Sequence, residues 1–100
     1  MSRRDERLFL AAYDVPDDPR RDRLAKALLS YGDRIQYSVF LIEAAPVKLA
    51  RLRRELQALM SEEEDSVLLC DLGPAGSSMG TTIEFLGRER NLTTPQSFIV

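Results

Sequence analysis

Leu8 to Lys26 reads LFLAAYDVPDDPRRDRLAK, and the interpretation of the whole chain turns on this stretch. Leu8 to Tyr13 is an unbroken apolar run, which suits a strand covered on both faces. The run stops at Asp14, and Val15 and Pro16 turn the chain. Asp18 followed by Pro19 has the pattern of an N-cap and a first helical residue: the cap carboxylate accepts from a free amide, and proline has no amide to leave unpaired. A helix is expected over about Pro19–Tyr31. Leu24, Ala25, Leu28 and Leu29 form its apolar stripe, and Arg20, Arg21, Arg23 and Lys26 lie outside it. Gly32 is expected to stop it, since glycine takes the left-handed conformation without steric cost. A carboxylate at the carboxyl end of a central strand, beside cations, is a common place for a binding or reacting group. The plainer alternative is an aspartate whose side chain only fixes a turn.

Working outward, Arg34 to Glu43 (RIQYSVFLIE) is rich in β-branched and aromatic residues and reads as one bent strand, or two short ones parted near Gln36–Ser38. Pro46 opens a second helix to about Met60, with Leu49, Leu52, Leu56 and Leu59 at three- and four-residue spacing. Glu62 to Asp65 suits a helix C-terminus badly, where the dipole is negative, so it reads as a solvated loop. Ser66–Leu72 is a third apolar strand, Gly73–Gly80 a loop of small residues, and Thr81–Leu86 a further strand. Residues 87–95 are polar and irregular. Ser97–Val100 is strand-like again and needs a sheet edge to join, its own or a partner's. The order β-α-β(-β)-α-β is an α+β pattern, and the ferredoxin-like βαββαβ fold with an extra C-terminal strand is its economical solution. The division is a domain over residues 1–86 and a linker with its strand over 87–100.

Composition narrows the chemistry. The chain has 100 residues, 44% hydrophobic and 30% charged, which is the size and balance of one globular domain. A formal net charge of -2 does not mark a nucleic-acid binder, but the cations are segregated. They gather around the first helix and again at Lys48, Arg51, Arg53 and Arg54, so a weakly acidic chain can still present a basic face. There is no histidine, which removes imidazole acid–base chemistry and the Ser-His and Cys-His nucleophiles. The single cysteine, Cys70, excludes an internal disulfide and, in its apolar run, is expected to be a buried core thiol. The charged start (SRRDER) and the short apolar run after it do not fit a signal core or a membrane span, so a cytoplasmic location is expected.

Each candidate residue has a functional and a structural reading. Asp14 is a metal-binding carboxylate or a turn former. Arg20, Arg21 and Arg23 are phosphate forks or a solvated helix face. Tyr13, Tyr37 and Phe40 stack bases or fill the core and an interface. Asp17 and Asp18 are caps. Magnesium takes an octahedral oxygen shell and commonly one or two protein carboxylates. A two-fold dimer would supply two from one residue, Asp14 of each copy.

The combination YDVPDD…RR…LAK…YG-R-IQYSVF resembles the family of CRISPR-associated protein two, the small partner of the CRISPR integrase. The matching residues are Tyr13, Asp14, Asp17, Asp18, Arg21, Arg23, Tyr31, Gly32, Arg34, Gln36, Tyr37, Ser38, Val39 and Phe40, in order and spacing over the first forty positions. The resemblance implies a ferredoxin-like homodimer whose C-terminal strand crosses to the partner subunit. It also implies a role in spacer acquisition, with the dimer bridging the integrase subunits on duplex DNA. Members are described as Mg²⁺-dependent endonucleases acting on RNA or DNA, and Mn²⁺ is an alternative ion. By that likeness Asp14 is the catalytic and metal-binding residue, and Tyr13, Arg21, Arg23, Arg34 and Phe40 are its nucleic-acid-binding or supporting positions. A non-catalytic duplex-DNA scaffold is the alternative function within the same family.

Overall fold

A computed structural model describes residues 6–76 and 83–88. Its elements run β1 (Arg7–Asp14), α1 (Asp18–Leu29), β2 (Gly32–Gln36), β3 (Val39–Ala44), α2 (Pro46–Leu59) and β4 (Ser66–Pro74). The sheet order is β2-β3-β1-β4 with every neighbouring pair antiparallel, which is the βαββαβ ferredoxin-like arrangement expected from the element order. The apolar run 8–13 lies in the middle of this sheet. β1 pairs with β3 from Arg7↔Ala44 to Ala12↔Val39, and with β4 from Arg7↔Pro74 to Asp14↔Ser66.

Strand alternation sorts β1 onto two faces. Phe9, Ala11 and Tyr13 join Phe40, Ile42 and Ala44 under the helices, where Leu24, Ala25 and Leu28 of α1 and Leu49, Leu52 and Leu56 of α2 close the main core. Leu8 faces the other way with Leu41 and Ile35, and Ile83 and Phe85 pack over that smaller cluster. By the same alternation Asp14 belongs to the face turned away from the helices.

Several local expectations change in the fold. The N-cap is Asp17 rather than Asp18: its carboxylate accepts from the Arg20 amide at 3.0 Å, and Asp18 and Pro19 are already helical. α1 ends at Ser30 in a right-handed conformation, and Gly32 opens β2 instead of capping the helix. Its missing side chain is needed for close approach, since a Cβ there would stand 2.1 Å from the Leu41 carbonyl oxygen. Leu29, assigned to the apolar stripe, is exposed because it lies past the sheet-facing side of α1's last turn. Of the two readings of 34–43, the structure has the two strands, joined by a turn at Tyr37–Ser38. Residues 83–86 form no strand; Ile83 and Phe85 turn inward and Glu84 and Leu86 outward, so the alternation reflects packing on the sheet rather than a ladder. Cys70 is exposed on β4, because the strand's inward positions are Val67 and Leu69. The expected strand at Ser97–Val100 lies outside the described residues. Among the described residues no helix is long and apolar enough to cross a membrane.

Gly32→Ala should destabilise the fold by about 3 kcal/mol, the upper range for forcing atoms into a packed site, because the atom it meets is backbone. Urea denaturation followed by circular dichroism measures it, and a loss below about 1 kcal/mol would mean that β2 and β3 separate easily.

Candidate nucleic-acid interface

The carboxyl end of β1, the N-terminus of α1, the β2–β3 turn and the loop before β4 all meet at one end of the sheet. Asp14 is exposed there, and no hydrogen bond or ion pair engages its carboxylate among the described residues. The residues on either side of it are each held by an arginine. Arg21 Nη1 donates to the Val15 carbonyl at 2.6 Å, while its Nη2 is paired with Asp18. Arg34 Nη2 donates to Tyr13 Oη at 3.3 Å, and Tyr13 Oη donates onward to the Tyr37 carbonyl at 3.5 Å. Arg34 owes its place to sheet register. It lies opposite Phe40, so its guanidinium sits 5.1 Å from the Phe40 ring centroid, and the Tyr37 ring approaches it at 5.4 Å. Strand alternation presents Arg34 on the helix side and Ile35 to the opposite cluster, and a bulge lies between Arg34 and Gln36.

The sequence-derived site is therefore only partly assembled. Tyr13, Arg34, Phe40 and the Asp14 strand end are brought together. Phe40 is 0% exposed and Tyr13 is buried, so both support Arg34 rather than meeting a ligand themselves. Arg21 is engaged with the chain's own loop, and its Nε is buried without a partner, as is that of Arg34. Arg23 is exposed and makes no ion pair or hydrogen bond among the described residues, so it alone of the named arginines is wholly available to a phosphate.

Arg20 is removed from the phosphate candidates altogether. Its Nε and Nη2 grip the two Asp65 oxygens at 2.6 and 2.9 Å, and Nη2 also reaches Glu64 at 3.0 Å. Asp65 was expected in a solvated acidic loop. Its side chain is instead 0% exposed, and it also accepts from the Ser61 amide at 2.8 Å. A bidentate guanidinium supplies the charge and geometry that a buried carboxylate requires. The run SEEED gave no sign of which acid turns inward, because that depends on where α1 presents Arg20. The Arg20 guanidinium, with the Ser61 amide, holds the Asp65 carboxyl below the usual carboxylate range despite the opposing effect of burial.

Among the described residues no group of three or more carboxylate or thiol side chains is placed to hold a metal ion. At the end of β1, among the described residues, one chain thus offers a divalent cation the carboxylate of Asp14 and no second acid beside it. That fits Mg²⁺ only if further oxygens come from water, a phosphate or a second copy of the chain.

The family model for CRISPR associated protein Cas2 matches residues 7–78. A CRISPR-associated endoribonuclease Cas2 of Synechocystis is 37% identical over 93 residues, covering 93% of this chain and 97% of the relative. A CRISPR-associated endoribonuclease Cas2 of Thermus thermophilus is 45% identical over 69 residues, covering 69% of this chain and 73% of its own length. Among solved structures, Streptococcus pyogenes Cas2 superposes with a TM-score of 0.70 at 29% identity, covering 80% of this chain and 99% of that one.

The depressed Asp65 carboxyl has a signed consequence. Its contribution to stability is fully present above the unfolded carboxylate value, about 3.9, and is lost as the pH falls through the lower folded value. Asp65→Asn should lower the urea midpoint at pH 7, and its deficit against the parent chain should shrink below about pH 4. Midpoints measured from pH 7 to pH 3 check this; a constant deficit would show that the ionised carboxylate is not what matters.

Proposed function

The chain belongs to the CRISPR associated protein Cas2 family, and from that premise we propose that it is a divalent-metal-dependent endonuclease of CRISPR spacer acquisition, acting as a homodimer on RNA or DNA. The observation that carries this reading is the uncommitted Asp14 carboxylate at the end of the central strand, on the sheet face turned from the helices. That face also carries Leu68, a large apolar side chain 57% exposed on β4. A second copy packed there would bury this surface and bring two Asp14 residues towards a common axis.

A bound Mg²⁺ or Mn²⁺ ion would supply charge neutralisation at the scissile phosphate and activation of water, chemistry for which the chain has no imidazole. The chain's own residues do the remainder. Asp14 provides carboxylate oxygens to the ion. Arg21 fixes Val15 and Arg34 fixes Tyr13, so the strand end that aims Asp14 cannot drift from either side. Arg23 is free to meet the nucleic-acid backbone as a charge-assisted donor. Contacts of this sort read phosphates and not bases, which favours loose sequence preference and strong salt dependence.

A second reading is supported by the positions of the other free cations. Arg51, Arg53 and Arg54 are exposed on α2, on the opposite side of the sheet from Asp14. A basic surface so placed suits a non-catalytic scaffold that lies against duplex DNA between integrase subunits.

Asp14→Ala separates the two. Under the first reading, cleavage of labelled RNA or DNA in Mg²⁺ falls by at least about a hundredfold, while binding in EDTA stays within about twofold. Retained cleavage would remove Asp14 from the chemistry. Loss of cleavage with undiminished spacer integration would make the scaffold the function that matters.

A further inference from the structure

Tyr37 is unlike the other aromatic residues of this end of the sheet. Tyr13 and Phe40 are buried, whereas Tyr37 is 67% exposed at the tip of the β2–β3 turn. Its carbonyl accepts from Tyr13 Oη, and the next carbonyl, that of Ser38, accepts from the Tyr13 amide at 3.2 Å. The turn is therefore tied to the residue immediately before Asp14, and Tyr37 lies about one or two strand spacings, roughly 5–10 Å, from the end of β1. Beside the ring is an open hollow of about 290 Å³ lined by Ile35, Gln36, Tyr37, Phe85 and Arg88. That volume is at the lower limit of small-molecule sites, large enough for one ring system and little more. Its chemistry is that of a nucleotide subsite: an aromatic face, two apolar walls, an amide that can both donate and accept, and a guanidinium.

The Arg34 guanidinium lies 5.4 Å from the ring centroid and adds a cation to the stack. A tyrosine ring has few rotatable bonds, so it binds a flat ligand with little loss of side-chain freedom. Bases within a duplex already have both faces stacked and have none to offer. From this we propose that Tyr37 is a stacking platform for one unpaired nucleobase of a single-stranded nucleic acid, with Gln36 at the base edge and Arg88 at an adjoining phosphate. The inference rests on the nucleic-acid reading above and deepens it: the strand approaching Asp14 is selected for an unpaired nucleotide beside the reacting phosphate.

Binding in EDTA isolates this from cleavage. Fluorescence anisotropy would compare a labelled single strand, in RNA and DNA forms, with a duplex of the same sequence. The proteins are the parent chain, Tyr37→Ala and Tyr37→Phe. A companion series of single strands carries one abasic position moved along its length. Tyr37→Ala should weaken single-strand binding about 5- to 100-fold and leave duplex binding nearly unchanged, and Tyr37→Phe should restore the parent affinity. One abasic position should weaken binding to the parent chain and have no effect on Tyr37→Ala. Because Tyr37 is exposed, an unchanged thermal melt is expected for both variants.

Equal losses on single strand and duplex would overturn the platform and leave Tyr37 as a support for Arg34. So would an abasic series without a sensitive position, or a parent chain that binds duplex alone. Failure of the nuclease reading is a separate result: Asp14→Ala would leave cleavage intact while the Tyr37 and abasic effects persist.

Discussion

The bidentate grip of Arg20 on Asp65 ties together the end of the molecule where Asp14 and the residues around it lie. It joins the first turn of α1 to the loop that delivers β4, across more than forty residues of sequence. A carboxylate withdrawn from water is tolerated only when a partner supplies charge and hydrogen bonds together, so each member of the pair requires the other. Asp17 caps the same turn, and the next residue after Arg20, Arg21, reaches from it to the Val15 carbonyl, so two consecutive arginines tie α1 to the loop before β4 and to the end of β1. Asp14 is then displayed between two residues, Tyr13 and Val15, that are each bonded to an arginine.

The same end of the sheet shows a division of labour among side chains of one type. Four arginines crowd α1 and β2, yet they serve different ends. Arg20 neutralises a buried acid, Arg21 braces a loop, Arg34 is stacked between aromatic rings, and Arg23 is left to solvent. Burial decides which role each takes. A guanidinium that has lost water is compensated by atoms of its own chain, and only the exposed one keeps its donors for a phosphate. The buried and unpartnered Nε atoms of Arg21 and Arg34 mark where this compensation is incomplete.

Arg34, Phe40, Tyr13 and Tyr37 form a graded stack from the core outward. Phe40 is enclosed, Tyr13 buries its ring and uses its hydroxyl, and Tyr37 faces water over the guanidinium. The gradient turns an interior packing arrangement into an outward-facing aromatic surface near Asp14. The two faces of the sheet are meanwhile unequal. Two helices cover one, whereas on the other, among the described residues, Ile83 and Phe85 pack over the Leu8 cluster and Leu68 is exposed.

The linear sequence determined the parts governed by local periodicity. The apolar run ending at Asp14, the leucine spacing of α2 and the proline-led helix starts needed no partner to be read, since a helix or strand is specified by which of its positions avoid water. The motif from Tyr13 to Phe40 carried the family and the position of the free carboxylate. Tertiary structure alone decided the fate of identical residue types. That Asp65 is buried while Glu62, Glu63 and Glu64 are exposed, that Arg20 is engaged while Arg23 is free, and that Cys70 faces solvent all depend on which segment arrives from elsewhere in the chain. Gly32 makes the same point, because its lack of a side chain answers to the Leu41 carbonyl of another strand and not to the helix just before it. Charge and close contact are settled by neighbours distant in sequence, and a local pattern holds no record of them.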